Sequence, residues 1–240
     1  MGMPVALDIP GTSDINIFKR VFKELHLIDE QFSPFIEHSE LSRFRRGELS
    51  PEELSIGMKD VMKACLEAEA MTNGYFSARY SKDFDPTGYI KGWAIAEASR
   101  KLLKAGIGTF SLSVGGDVNA YSNSEKTWKI GILDPQNKKS IIGKIVGQNL
   151  AIATSGNYER GNHIINPKTG RPARELLSLT VEGPDIIKAD ILATAAYAMG
   201  KAGLKFIDDK QPGYEVLAID RKGEVFLSGG MRNLLVIDHK

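Results

Sequence analysis

Between residues 15 and 32, Phe18, Val21, Phe22, Leu25, Ile28 and Phe32 recur at three- and four-residue spacing, the apolar stripe of an amphipathic helix. Such a stripe must be buried against a sheet or another helix, so the chain has to supply a second layer. Strand-like runs are read at 4–9, 109–114, 128–133, 141–146, 150–154, 176–181, 214–219, 224–227 and 234–238. Ser50-Pro51-Glu52-Glu53 reads as an N-cap, a first-turn proline and dipole-matched acids, opening a helix that runs to about Met71 and stops at Asn73-Gly74. Further helices are expected at 91–105, stopped by Gly106, and at 185–199, closed by Gly200, and Asp220-Arg221-Lys222-Gly223 reads as a turn between strands. This irregular alternation implies an α+β fold with mixed sheets and packed helices. With no repeat of 20–50 residues and no low-complexity linker, residues 1–240 read as a single unit.

Composition narrows the function. The chain has 240 residues and 42% hydrophobic content, enough for a sizeable core. Thirty-one basic residues balance thirty acidic ones and form no basic stripe, so nucleic acid is not an expected partner. The single cysteine, Cys65, excludes an internal disulfide and a cysteine-based zinc cluster, and reads as a buried small hydrophobe. The N-terminal MGMPVALDIP lacks the basic and long apolar regions of a signal peptide, no run approaches the roughly 18 apolar residues of a membrane helix, and Ala6 stands where a myristoylation motif wants Ser or Thr. The expectation is a cytoplasmic protein without a membrane partner.

Three constellations can carry chemistry. Asp190 and Thr194, at i and i+4, place a carboxylate and a hydroxyl on one helix face, two hard oxygen donors suited to Mg²⁺, which fills the rest of its octahedron with substrate phosphate oxygens and water. A solvated helix face accounts for the same spacing. The loop Thr154-Ser155-Gly156-Asn157-Tyr158-Glu159-Arg160-Gly161-Asn162-His163 combines glycines, hydroxyls and exposed N–H groups that can cradle a phosphate, although Thr-Ser-Gly is also ordinary turn chemistry. Beside it, His163 carries an imidazole whose ordinary pKa of about 6.5 suits a general base. His26, His38 and His239 have no such neighbours. The third is Asp85-Pro86-Thr87-Gly88-Tyr89-Ile90-Lys91-Gly92, a tight turn entering a helix whose N–H groups favour an anion, with Lys91 able to reach a phosphate or a flavin edge. Gly115-Gly116-Asp117 is either a further close-approach point or simply a turn.

Taken in order, six segments resemble the motif set of the FAD:protein FMN transferase (ApbE) family: SELSRF (39–44), D-x-x-G-x-x-K-G (85–92), GGD (115–117), ATSGNYER (153–160), H-I-I-x-P-K-T-G (163–170) and A-D-I-L-A-T-A (189–195). The resemblance covers nearly the whole chain and implies an ApbE-like, T-fold-like architecture. It implies Mg²⁺-dependent cleavage of FAD as substrate, transfer of FMN to a Thr or Ser hydroxyl of an acceptor flavoprotein, and release of AMP. By matching position, Asp190, Thr194 and the Gly88 carbonyl would hold the metal, and His163 would be the base. Phe35, Asp85, Lys91, Gly115, Gly116, Asp117, Thr154, Ser155, Gly156 and Ile164 would line the cofactor site, with Phe35 where the family usually has Tyr. Asn166 replaces a usual Asp. Only about ten residues separate Gly74-Tyr75-Phe76 from Asp85, where the family carries a longer segment with a Trp-Gly-Phe-like flavin contact. The shorter segment implies a less enclosed isoalloxazine, and keeps open an Mg²⁺-dependent FAD pyrophosphatase or a non-catalytic FAD-binding protein.

Overall fold

The computed structural model describes residues 2–80, 83–156 and 164–237. In chain order its elements are β1 (Val5–Asp8), α1 (Ile15–Phe32), α2 (Glu40–Arg45), α3 (Ile56–Met71), α4 (Thr87–Lys104), β2 (Thr109–Val114), β3 (Asp117–Ser122), β4 (Trp128–Asp134), β5 (Asn137–Gly147) and β6 (Leu150–Gly156). There follow β7 (Ile165–Asn166), β8 (Arg171–Pro172), β9 (Leu176–Gly183), α5 (Ile186–Met199), α6 (Ala202–Lys210), β10 (Glu215–Asp220), β11 (Val225–Leu227), α7 (Met231–Leu234) and β12 (Leu235–Val236).

Seven strands form an antiparallel sheet in the order β1-β2-β3-β6-β9-β10-β11. The period of two along its central strands sends side chains to opposite faces. Ala151, Ala153, Val216 and Ala218 face the helical core of α1, α3, α4 and α5. Leu150, Ile152, Leu217 and Ile219 face a second core closed by Trp128, Ile132 and Ile145 of a small sheet ordered β12-β5-β4. The long helices thus meet the sheet on one side, with only the one-turn α7, through Met231, in the second core, and the α+β reading holds.

Helix α5 is buried on nearly every side, with Ile186, Ala189, Ile191, Leu192, Ala193, Ala195, Ala196 and Ala198 all in the core. It packs on β6 and β9 and between α4 and α6. Its start is fixed by Asp185, whose carboxylate accepts the Lys188 N–H at 2.8 Å, and its end by Gly200 at φ +70°. The Cys65 thiol is buried in α3 and pushed up to about 12 by that burial, in keeping with a small hydrophobe.

Several expected boundaries move: the helix expected from Lys91 begins at Thr87, and the strand expected over 141–146 runs from Asn137 to Gly147. The helix read from Pro51 begins at Ile56, because Ser55 is the cap: its Oγ accepts the Met58 N–H at 3.1 Å, while the Glu40 carboxylate accepts both the Ser55 N–H at 2.6 Å and its hydroxyl at 2.8 Å. The earlier Ser50–Glu53 pair instead closes on itself as a turn, with the Glu53 carboxylate accepting the Ser50 N–H at 2.8 Å. Of the strand expected over 234–238, Leu235 and Val236 form β12, Leu234 ends the short helix α7, and position 238 lies outside the described residues. The sequence reading also lacked α2, β3 and α6.

Glu182 of β9 faces Glu215 of β10 across the ladder. Burial, with Glu215 adding repulsion, pushes the Glu182 carboxyl up to about 7. The folded state therefore binds more protons than the unfolded chain between about pH 4 and pH 7. This group's contribution to stability falls as pH rises through that window. In Glu182→Gln the loss of Tm between pH 5 and pH 8, measured by calorimetry, is expected to be smaller than in the parent; an unchanged loss would remove Glu182 from the account.

Candidate active site

A cavity of about 510 Å³ opens between the end of α1, the start of α4, the end of β6 and the middle of α5. That size is in the range of small-molecule and cofactor sites. Of the residues expected from the sequence, Phe35, Asp85, Gly88, Lys91, Gly115, Thr154, Ser155, Gly156, Ile164, Asp190 and Thr194 all line it. Gly116 and Asp117 are not among the lining residues, and His163 lies outside the described residues.

The local geometry explains this gathering. Gly115 and Gly116, at φ +57° and +91°, make the two-residue connection between β2 and β3, whose last ladder pair is Val114 with Asp117. Alternation along β6 turns Ser155 toward α5, where its Oγ lies 3.4 Å from Thr194 Oγ1, and Thr154 toward Thr180, with their hydroxyls 2.9 Å apart. Gly92 lets α4 approach α5 so closely that a Cβ there would stand 2.9 Å from both the Asp190 Cβ and the Ile186 carbonyl oxygen. The Gly92 N–H then donates to Asp190 Oδ2 at 2.8 Å.

Asp190 is 2% exposed, which excludes a solvated helix face. Lys91 Nζ stands 2.7 Å from Asp117 Oδ2 and 3.6 Å from Asp190 Oδ1. Two buried carboxylates share one ammonium, which leaves a net negative charge in a poorly solvated place. Burial, opposed by Lys91 and reinforced by Asp117, pushes Asp190 up to about 7, and burial raises Asp117 as well. A cation fits that deficit. The neighbouring donors, Asp190 carboxylate, Thr194 and Ser155 hydroxyls and the Gly88 backbone beside them, are hard oxygens; among the described residues no group of three His, Cys, Asp or Glu is placed to hold a metal.

The rim holds residues that sequence reasoning missed. Tyr75, Phe76, Tyr80, Met3 and Phe32 also line the cavity. In the short stretch before α4, Tyr80 donates to Asp85 Oδ2 at 3.1 Å, and the Thr87 N–H donates to Asp85 Oδ1 at 3.0 Å. The SELSRF segment proves to be a brace. Ser39 and Ser42 hydroxyls donate to the Ser33 carbonyl at 2.6 and 3.3 Å, fixing the turn that carries Phe35. Arg45, just beyond it, donates to the Phe84 carbonyl at 2.7 Å and pairs with Asp85 at 3.4 Å. Phe35 itself stands at the mouth, 91% exposed.

This is a helix-backed antiparallel sheet with an oxygen-rich, anionic pocket at the end of its middle strand. The sequence model of the ApbE family matches residues 1–82 and 78–218, and the chain belongs to that family. Among curated relatives, the FAD:protein FMN transferase of Escherichia coli K12 is 31% identical over 148 residues, 57% of this chain and 42% of the relative. The protein of the same name from Rhodobacter capsulatus is 31% identical over 166 residues, 65% of this chain and 32% of the relative. The matched stretches thus span less than half the length of these relatives. Among solved structures, the flavin transferase ApbE from Vibrio cholerae superposes with a TM-score of 0.80 at 22% identity, covering 98% of this chain and 96% of that one. The ApbE protein of Thermotoga maritima gives 0.81 at 21%, covering 97% and 96%. These likenesses establish the shared fold. Among the described residues, no helix is long and apolar enough to cross a membrane.

Gly92→Ala is expected to force α4 and α5 apart, since the new methyl meets backbone and a Cβ rather than a flexible side-chain tip. The cost should be about 1–3 kcal/mol, read as a lower urea midpoint at unchanged slope. An unchanged midpoint would mean that the helix contact has slack.

Proposed function

We propose that this chain transfers FMN from FAD to a Thr or Ser hydroxyl of an acceptor flavoprotein, with a divalent cation, Mg²⁺ being the expected one, and release of AMP. The observation that carries this reading is the convergence of segments around residues 85–91, 115, 154–156 and 190–194 on one cavity beside a buried, cation-seeking carboxylate. The names of the matched relatives support the same chemistry.

Asp190, Thr194 and the Gly88 carbonyl would hold the cation, which when bound neutralises charge developing on the pyrophosphate oxygens. The chain's own groups do the rest. The Ser155 hydroxyl offers a hydrogen bond and the glycine turn at Gly115 close approach to phosphate, while Thr154, with its N–H held by Asp117 and its hydroxyl paired with Thr180, lines the wall beside them. Lys91 presents a fixed positive charge on the cavity wall, where it can meet a phosphate or the flavin edge. Phe35, Tyr75 and Tyr80 give the isoalloxazine apolar surface. The acceptor hydroxyl oxygen forms a bond to the FMN phosphorus, the bond from that phosphorus to the bridging oxygen breaks, and AMP leaves with the electron pair. His163, directly before the lining residue Ile164 in sequence, is the proposed base that takes the hydroxyl proton. The exposed Phe35 leaves the mouth open to a protein acceptor, and also to water, the route of a FAD pyrophosphatase.

The test is incubation with FAD, Mg²⁺ and a flavin-accepting protein, followed by intact mass. The acceptor should gain FMN less one water while AMP appears in equal amount. AMP and free FMN without acceptor modification would favour hydrolysis, and neither product would leave the binding protein alone standing. Asp190→Ala should lower turnover by about 10²- to 10³-fold, and His163→Ala by about 10²- to 10⁴-fold, with thermal melts reporting that both variants fold. Unchanged turnover in either variant refutes the role given to that residue.

A further inference from the structure

Asp117 is wholly buried and absent from the cavity wall, yet its two oxygens serve two different parts of that wall. Oδ1 accepts the Thr154 N–H of β6 at 3.0 Å, and Oδ2 lies 2.7 Å from Lys91 Nζ of α4. The Gly115-Gly116 turn sets Asp117 as the first residue of β3, which aims the carboxylate inward beneath both neighbours. Lys91 reaches Asp190 Oδ1 only at 3.6 Å, so its ammonium is held nearer to Asp117 than to the carboxylate on the cavity wall.

We propose that Asp117 is a positioning residue: it holds the Lys91 ammonium off Asp190, leaving Asp190 a charge with which to bind a divalent cation, and it fixes the Thr154 amide at the cavity floor. The inference rests on the reading of Asp190 as a cation ligand. The physical reason is competition. An ammonium and a divalent cation compete for the same carboxylate, and the contest in a poorly solvated site is settled by where the ammonium has another anion to meet. With Asp117 present and all three groups ionised, the net charge is −1. Replacing it by Asn keeps an acceptor for the Thr154 N–H but leaves Lys91 with Asp190 as the carboxylate of this cluster, and the net charge falls to zero.

The experiment is Mn²⁺ binding to the flavin-free protein, followed by the loss of the free-ion paramagnetic resonance signal. Asp117→Asn should weaken binding about tenfold or more, the scale of removing one charge from such a site. Adding Lys91→Met to it should restore affinity toward the parent value, because the competing ammonium and the missing carboxylate cancel. A merely structural role for Asp117 predicts no such rescue. Lys91→Met alone should bind Mn²⁺ at least as tightly as the parent, and this arm stands even if Asp117→Asn fails to fold. Parent-like binding in Asp117→Asn, absence of rescue in a folded double variant, or weaker binding in Lys91→Met overturns the inference while Asp190→Ala still abolishes binding. Equal binding in the parent and Asp190→Ala overturns the cation reading itself and the inference with it.

Discussion

Gly92 brings α4 and α5 together until a backbone N–H of one helix donates to a buried carboxylate of the other at 2.8 Å. The cavity depends on that approach. It places Lys91, the residue before Gly92, against Asp190, and puts Gly88, one turn earlier, beside Thr194. A side chain at position 92 would part the two helices and separate the groups that give the pocket its charge. On α5 the contact falls at the Asp190 Cβ and at the backbone of Ile186 and Ile187, so it is the missing side chain on α4 that makes room. Helix approach and charge placement are therefore one constraint.

Much of this was legible in the sequence. The spacing of Phe18, Val21, Leu25, Ile28 and Phe32 located α1 to its last residue, because an amphipathic helix writes its period locally. Asp190 and Thr194 were legible as a pair for the same reason. Their burial was not, since it depends on the sheet behind α5. Asp117 shows the limit most clearly: a glycine pair marked a turn, but nothing near it in the chain says that its carboxylate would lie between Lys91 and Thr154. The helix start failed at Pro51 because Ser55 finds a distant partner in Glu40, and that partnership has no local signature.

The brace formed by residues 39–45 illustrates how a motif can belong to a site without entering it. Ser39 and Ser42 grip the Ser33 carbonyl, Arg45 grips the Phe84 carbonyl and Asp85, and both gripped stretches contribute residues to the cavity lining. With the segment between Phe76 and Asp85 short, these contacts are what keep the two stretches in register.

The order of the strands also governs how the molecule can be made. Val5 pairs with Val114, so the first strand has no partner until more than a hundred further residues exist. β3 then waits for β6, and β6 for β9. The apolar face of β6 and β9 waits for α5, which closes it. A nascent chain ending before residue 186 would carry that face open to water, with strand edges unpaired, a state prone to sticking to its neighbours. Completion of the pocket and protection of the core are thus the same late event in synthesis, and a chain stalled before it would have neither.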